Sequence, residues 1–240
     1  MSGHSKWATI KRAKAAKDAK KGAIFTKLGN LITIAARDKG GDLDTNFSLR
    51  MAIDKAKQVN MPKDNIERAI KKGTGELNDG TQIEELYYEG IGPASTQYII
   101  KSLTDNKNRS ASTIRHAFTK WSGSLGTVMW NFAQMGVIRI LSQNLENINL
   151  EELELELIEE EIEEFQNEEE GIIIYTSIAN LEKTKKFLES KNIIVESAEI
   201  EYIAKEKIKL TEDDQEKIQK FEEHLDELED VSDYYSNISD

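Results

Sequence analysis

Residues 11–21 read KRAKAAKDAKK: six of these eleven side chains are basic, one is acidic and four are alanine. On a helix turning about 100° per residue, Lys11, Lys14, Lys17, Lys20 and Lys21 fall on one arc of about 180°. Ala15, Ala16, Ala19 and Ala23 cluster opposite them with Arg12. The chemistry this permits is charge neutralisation, because each ammonium placed against a phosphate releases condensed counterions, whatever the base sequence. A membrane-surface helix would need bulky apolar residues on its lower face, and alanine buries too little area to hold one in a bilayer. The bland alternative is a solvated surface helix. Against it, Trp7 and Ile10 before the stretch and Ile24 and Phe25 after it could fix both ends and leave the lysines displayed. Trp7 could also stack on a base, but a lone aromatic near a helix start is more often a hydrophobic anchor. Only Arg12 in this run carries a guanidinium, so recognition by backbone charge and shape is expected rather than a strict base code.

Other chemistries find little support. His4, His116 and His224 are isolated, with no HxxxH or HExxH spacing, and there is no cysteine, so no metal site is expected. The glycines of KKGTGEL suit a helix end and turn better than a nucleotide cradle, and SGSLG lacks the strand-to-helix context of a nucleophile elbow. Thirteen glutamates lie between residues 146 and 170, a run that reads as a solvated helix face. The expectation is a non-enzyme with no cofactor and no small-molecule substrate. A second polar cluster, TDNKNRSASTIRHAF at 104–118, sits between a strand and a helix, where Ser110 or Ser112 could cap and free backbone N–H groups could receive an anion. Its Arg109, Arg115 and His116 make it the cationic spot of an acidic half.

The formal charge of −12 divides sharply along the chain. Residues 1–75 carry seventeen Lys or Arg against seven acids, whereas residues 76–240 carry fifteen against thirty-seven. A basic block on an acidic body points to a polyanionic partner met at one end. With no N-terminal apolar run and no stretch near membrane-spanning length, a cytoplasmic protein that makes no membrane contact is expected.

The basic block reads as helical. Phe25, Leu28, Ile32 and Ala35 have helical spacing before a break at RDKGGD. A second helix runs over 44–59 with Asp44 or Thr45 as N-cap, and a third has Pro62 in its first turn and Gly73 as C-cap. From ELYYEGI onward the pattern alternates. TQYIIKSLT, TVMWNF and GVIRIL read as further strands, with a helix over 110–121. Next come an acidic helix over 149–164, strand GIIIYT, helix NLEKTKKFLESK and strand SAEIEYI. Last is an amphipathic helix capped by Thr211, with Ile218, Phe221, Leu225 and Leu228 as its stripe. The class is α+β.

GHSKWATIKRAKAAKDAKKGAIFTKL, VNMPKDNIERAIKKGTGE, YEGIGP, TDNKNRSASTIRHAF and ESAEIEYI closely resemble the YebC/PmpR family of bacterial regulators and the mitochondrial translational activators of cytochrome c oxidase, over essentially the whole chain. The resemblance implies an N-terminal all-α domain (1–78) followed by two α+β domains, a middle one (79–134 plus 204–240) and an acidic one inserted in it (135–203). It also implies a non-enzymatic, DNA-binding transcriptional regulator. The alternative is a ribosome-associated factor that binds ribosomal RNA and relieves stalling at proline runs. A Lys–Ala helix without base-reading residues, and the lack of clear helix-turn-helix spacing in 24–72, fit RNA or backbone binding at least as well. Carried onto this chain, nucleic-acid contact falls on Lys6, Lys11, Arg12, Lys14, Lys17, Lys20, Lys21, Asn106, Asn108 and Arg109, with Lys27 and Arg115 completing the candidate set. The chain departs from the family pattern at Ile91, Ala94 and Ser95, at Ser122 where a glycine pair is usual, and in its glutamate-rich 151–170 stretch.

Overall fold

The computed structural model describes Trp7, residues 21–77, Gly80 and residues 82–239. It divides into two compact units, Met1–Phe132 with Ala204–Asp240, and Ala133–Ile203, so the second is inserted between two stretches of the first. A helical region precedes the sheets, and the class is α+β. Among the described residues no helix is long and apolar enough to cross a membrane.

The first unit opens with α1 (Lys21–Lys39), α2 (Phe47–Gln58) and α3 (Lys63–Gly73). Their apolar stripes share one core, with Ile32 and Ala36 of α1 against Leu49 and Ile53 of α2 and Ile66 and Ala69 of α3. The cap of α2 is Asn46, not Asp44 or Thr45. Those two are held by Asp42, whose carboxylate accepts from the Asp44 N–H at 2.9 Å and the Thr45 hydroxyl at 3.2 Å. Asn46 is fully buried; its Oδ1 accepts from Leu49 N–H while its Nδ2 donates to the carbonyls of Ala35 and Gly40. One amide thus closes the end of α1 and the start of α2, which an acid or a hydroxyl could not do.

Gly73 is the last residue of α3 and Thr74 its C-cap, so the glycine is not itself the cap. Its role is close approach: a Cβ there would lie 2.4 Å from the Thr33 carbonyl and 2.7 Å from the Ala36 Cβ of α1. Trp7 is 2% exposed, as an anchor would be and a stacking platform would not.

A four-stranded sheet follows in the order β3 (Ser124–Leu125), β1 (Glu84–Ile91), β2 (Gln97–Thr104) and β8 (Val231–Ser236). β1, β2 and β8 are antiparallel neighbours, with Tyr88 opposite Ile100 and Ile100 opposite Tyr234. On one face lie α4 (Lys107–Lys120) and α7 (Glu212–Glu227), burying Ile114, Phe118, Ile218, Phe221 and Leu225 against Tyr98 and Ile100. On the other, Leu103 and Ile83 meet Ile34 of α1. Burial on both faces explains why Tyr98, Ile99 and Ile100 are apolar in succession rather than alternating with polar residues. Thr211 caps α7 as its spacing predicts, accepting from Asp214 N–H. The strand β8 that follows it is hidden in sequence, because VSDYYS is polar and its register shifts by a bulge opposite Lys101 and Ser102.

Two further expectations are corrected here. TVMWNF is not a strand: Met129–Asn131 form a 3-10 turn, and β4 begins at Phe132 and runs to Leu141. The Glu89 carboxylate causes this by accepting the N–H groups of both Val128 and Met129 at 2.7 Å, which turns them away from any ladder. The helix at 110–121 starts earlier, at Lys107, because Asn106 caps it. Ser110 is buried and bonds Ser102 of β2 instead.

The inserted unit is a sheet in the order β5 (Glu164–Glu168), β6 (Gly171–Thr176), β4 and β7 (Ser197–Ala204), with helices α5 (Leu150–Glu159) and α6 (Leu181–Ser190). The acidic helix ends at Glu159 rather than 164. Glu161 takes φ 63° and Ile162 N–H returns to the Leu157 carbonyl, which frees residues 164–168 to pair with β6 as an edge strand. Arg139 of β4 and Glu201 of β7, both buried, form a two-pronged ion pair.

Two substitutions test this packing. Gly73→Ala should destabilise the first unit by about 1–3 kcal/mol by wedging α3 off α1, read as a lowered denaturation midpoint. Ser122 follows the end of α4 at φ 60°, with the N–H of Gly123 returning to the Phe118 carbonyl. A glycine there removes a left-handed strain of roughly 1 kcal/mol, so Ser122→Gly should raise Tm by about 2–4 °C.

Candidate nucleic-acid interface

Of the candidate residues, Lys6, Lys11, Arg12, Lys14, Lys17 and Lys20 lie outside the described residues, and Lys21 opens α1. Lys27 serves the fold, since its Nζ donates to the Asp226 carbonyl at 2.7 Å, near the end of α7, where the exposed carbonyls favour a cation. On the outer surfaces of the three helices Lys39, Lys57, Arg68 and Lys71 are exposed and, among the described residues, make no ion pair or side-chain hydrogen bond. All four belong to the basic block of residues 1–75, but none is among the candidate contacts read from the sequence. The fold places them outward from one core.

The helix α4 contains four Lys or Arg and no acid, within a chain of net charge −12. Its cations divide by position. At the N-terminal end Lys107 pairs with Glu84 at 2.7 Å, and Arg109 reaches Asp230 through Nε and Nη2 and Asp105 through Nη2 at 2.8 Å. Hydrogen bonding from Asp230, then from Asp105, holds that guanidinium still more firmly protonated than usual. Arg109 is therefore a strut between the helix start and the β8 turn, with its charge matched locally. Asn106 is engaged as the cap, its Oδ1 accepting from Arg109 N–H. Asn108 is exposed two residues on, and Arg115 and His116 are exposed further along. The open positive part of α4 is thus its C-terminal half, where Arg115 and Lys120 are exposed and His116 is exposed between them. His116 belongs to the cationic spot that the sequence shows, whereas Lys120 was not expected as a contact.

At the end of α4, the Trp121 Nε1–H donates to His224 Nδ1 of α7 at 3.2 Å, and Lys120 Nζ lies 5.9 Å from the Trp121 ring centre. Burial pushes the His224 imidazole below its ordinary value; Lys120 and His116 add to this, and Glu227 opposes it. The accepting Nδ1 requires a neutral ring.

A third feature is the 3-10 turn at Met129–Asn131. Trp130 stands on it 59% exposed, and its indole N–H has no partner among the described residues. Sequence reading missed it by assigning a strand.

The fold is a helical module followed by two sheet-bearing domains, one inserted in the other, with exposed cations on the helical module and on α4 among other places. The chain belongs to the TACO1/YebC family. The family model described as the TACO1/YebC protein N-terminal domain matches residues 5–76, and that described as the TACO1/YebC second and third domain matches residues 83–238. A probable transcriptional regulatory protein of Thermoanaerobacter pseudethanolicus is 45% identical over 241 residues, covering 99% of this chain and 97% of its own. One from Thermotoga maritima is 46% identical over 240 residues, covering 99% and 93%. A crystal structure of a conserved hypothetical protein from Aquifex aeolicus superposes with a TM-score of 0.81 at 38% identity, covering 92% of this chain and 91% of that one.

The His224 bond predicts a pH dependence. The folded value lies below the unfolded one of about 6.5, so the unfolded chain takes up its proton first as pH falls. The contribution is complete above about pH 6.5 and is lost as pH falls through the folded value. His224→Asn keeps an acceptor for Trp121 but cannot titrate. Its Tm should therefore fall less than the parent's between about pH 7.5 and about pH 5.5, measured by tryptophan fluorescence.

Proposed function

We propose that this protein is a non-enzymatic regulator of gene expression that binds DNA by backbone charge and shape. The observation that carries the reading is charge segregation: a strongly basic N-terminal region stands on an acidic body. Relatives at 44–46% identity over the full chain, all named probable transcriptional regulatory proteins, support the regulatory part. Contact is assigned to Lys6, Lys11, Arg12, Lys14, Lys17, Lys20 and Lys21, extended by the outward cations of α1–α3. A second contact runs along α4 through Asn108 and Arg115. Lys27, Asn106 and Arg109 act by holding these elements in place.

Arginine usage supports charge and shape over base reading. Arg37 and Arg50 donate to backbone carbonyls, Arg109 is tied to two carboxylates and Arg139 is buried with Glu201. Among the described residues only Arg68 and Arg115 remain open for two-pronged contact with guanine. The same scarcity favours a second reading, a ribosome-associated factor on ribosomal RNA, because folded RNA is recognised by shape and phosphate rather than through a readable major groove.

The test is the salt dependence of duplex binding by the full chain, measured by fluorescence anisotropy. Changing Lys11, Lys14, Lys17, Lys20 and Lys21 together to Glu should weaken binding by orders of magnitude. The slope of log K against log salt should become shallower by about 4.5, at about 0.9 per lost phosphate contact. A variant that binds with the parent's affinity and slope would overturn the assignment.

A further inference from the structure

We infer that Trp130 is a stacking platform for an unpaired nucleobase, with Lys205 and Lys207 beside it for the adjoining phosphates. This rests on the nucleic-acid reading above and names a single-stranded segment as the ligand of a site apart from the basic N-terminal region. An exposed tryptophan alone would mean little. What marks this one is the rigidity of its mount. Asn131, 1% exposed, donates through Nδ2 to Gln97 Oε1 at 2.8 Å and to the Glu206 carbonyl at 2.9 Å, and its Oδ1 accepts from Glu206 N–H at 2.8 Å. Its carbonyl accepts from Lys205 N–H at 2.7 Å. On the other side of the indole, Glu89 holds the N–H groups of Val128 and Met129. The turn is therefore fixed on both sides of Trp130 by buried or charge-assisted bonds, while the ring is left in water with no partner for its N–H.

A residue placed there for packing would be covered. The chain instead holds a large aromatic face in solvent, where ordering it for a ligand carries little further entropic cost. The neighbouring strand end supplies the charge. Lys205 Nζ donates to the Trp130 backbone carbonyl at 3.1 Å, which holds an ammonium against the backbone that carries the indole. Lys207 is exposed next to the clamped Glu206 and makes no ion pair among the described residues. The carboxylate of Glu89 is occupied by two N–H groups, which offsets its charge. An aromatic face with flanking lysines is the arrangement that binds single strands without base preference, since every base has a π-face. Paired bases inside a duplex do not offer that face, so the site selects for unpaired nucleotides.

The experiment uses the full chain and two fluorescent probes of equal phosphate count, a short oligothymidylate and its abasic counterpart. The parent should bind the base-bearing strand more tightly. Trp130→Ala should weaken that binding by about five- to one-hundred-fold and leave the abasic strand unaffected, while Trp130→Phe should retain most of the affinity. Lys205→Ala should weaken both probes alike and make the salt slope shallower by about 0.7. The inference is overturned if Trp130→Ala binds the oligothymidylate like the parent, or if it weakens both probes equally. A parent that binds both probes with equal affinity removes the platform but leaves nucleic-acid binding standing. A parent that binds neither probe nor duplex at low salt removes both.

Discussion

Phe221 lies 5.1 Å, ring centre to ring centre, from both Tyr98 and Phe118, edge-on to each. This aromatic contact, with Ile218 and Leu225 beside it, is where the end of the chain meets the sheet built by its middle. Deleting such a ring costs about 3–5 kcal/mol, more than any surface ion pair in this unit supplies. The other links from the tail depend on it. Once α7 is seated, β8 pairs with β2, the Asp226 carbonyl receives Lys27 of α1, Asp233 comes within 3.9 Å of Lys55 of α2, and Asp230 receives Arg109 of α4. The tail therefore locks both cation-bearing elements, the helical module and α4, onto one sheet. The chain must first traverse the inserted unit, but the entropy of closing a loop grows only with the logarithm of its length, so an insertion there is thermodynamically mild.

The charges follow a division of labour that this locking makes possible. Cations at the tail contacts, Lys27, Lys55 and Arg109, are matched by a carbonyl or a carboxylate and hold the fold. Those on the outer faces, Lys39, Lys57, Arg68, Lys71 and Arg115, are exposed and unmatched among the described residues. Residue type alone does not separate the two groups. Arg109 and Arg115 stand six residues apart on one helix, yet the first faces the acidic β8 turn and the second faces solvent.

Helices were the legible part of the sequence. The apolar stripes of α1, α3, α6 and α7 recur at helical spacing, and Thr211 stands where an N-cap must, so their positions follow from local pattern. Elements set by long-range partners were not legible. β8 forms because β2 offers it an open edge, β5 because Glu161 turns the chain back, and the Met129–Asn131 turn because Glu89, forty residues earlier, captures two N–H groups. Asn46 was passed over as a cap because its second role, closing α1, requires knowing that two helices meet. For the interface, the basic run and the Arg109–His116 spot announced themselves by composition, whereas Trp130 was hidden by a strand-like neighbourhood and Lys120 by standing singly. The left-handed Ala94, Ser95 and Ser122 fall at the positions where the chain departs from its family's glycines, a link visible only with the backbone in view.

The central claim is that this chain meets a nucleic acid through its basic N-terminal region, held on a tail-locked sheet. The most direct measurement is crosslinking in living cells followed by sequencing of the bound nucleic acid, for the parent beside the variant with Lys11, Lys14, Lys17, Lys20 and Lys21 changed to Glu. The account predicts abundant recovery of promoter DNA with the parent and its loss with the variant; recovery of ribosomal RNA alone would transfer the claim to the ribosome-associated reading. Equal recovery from parent and variant, or none above background from either, would contradict it.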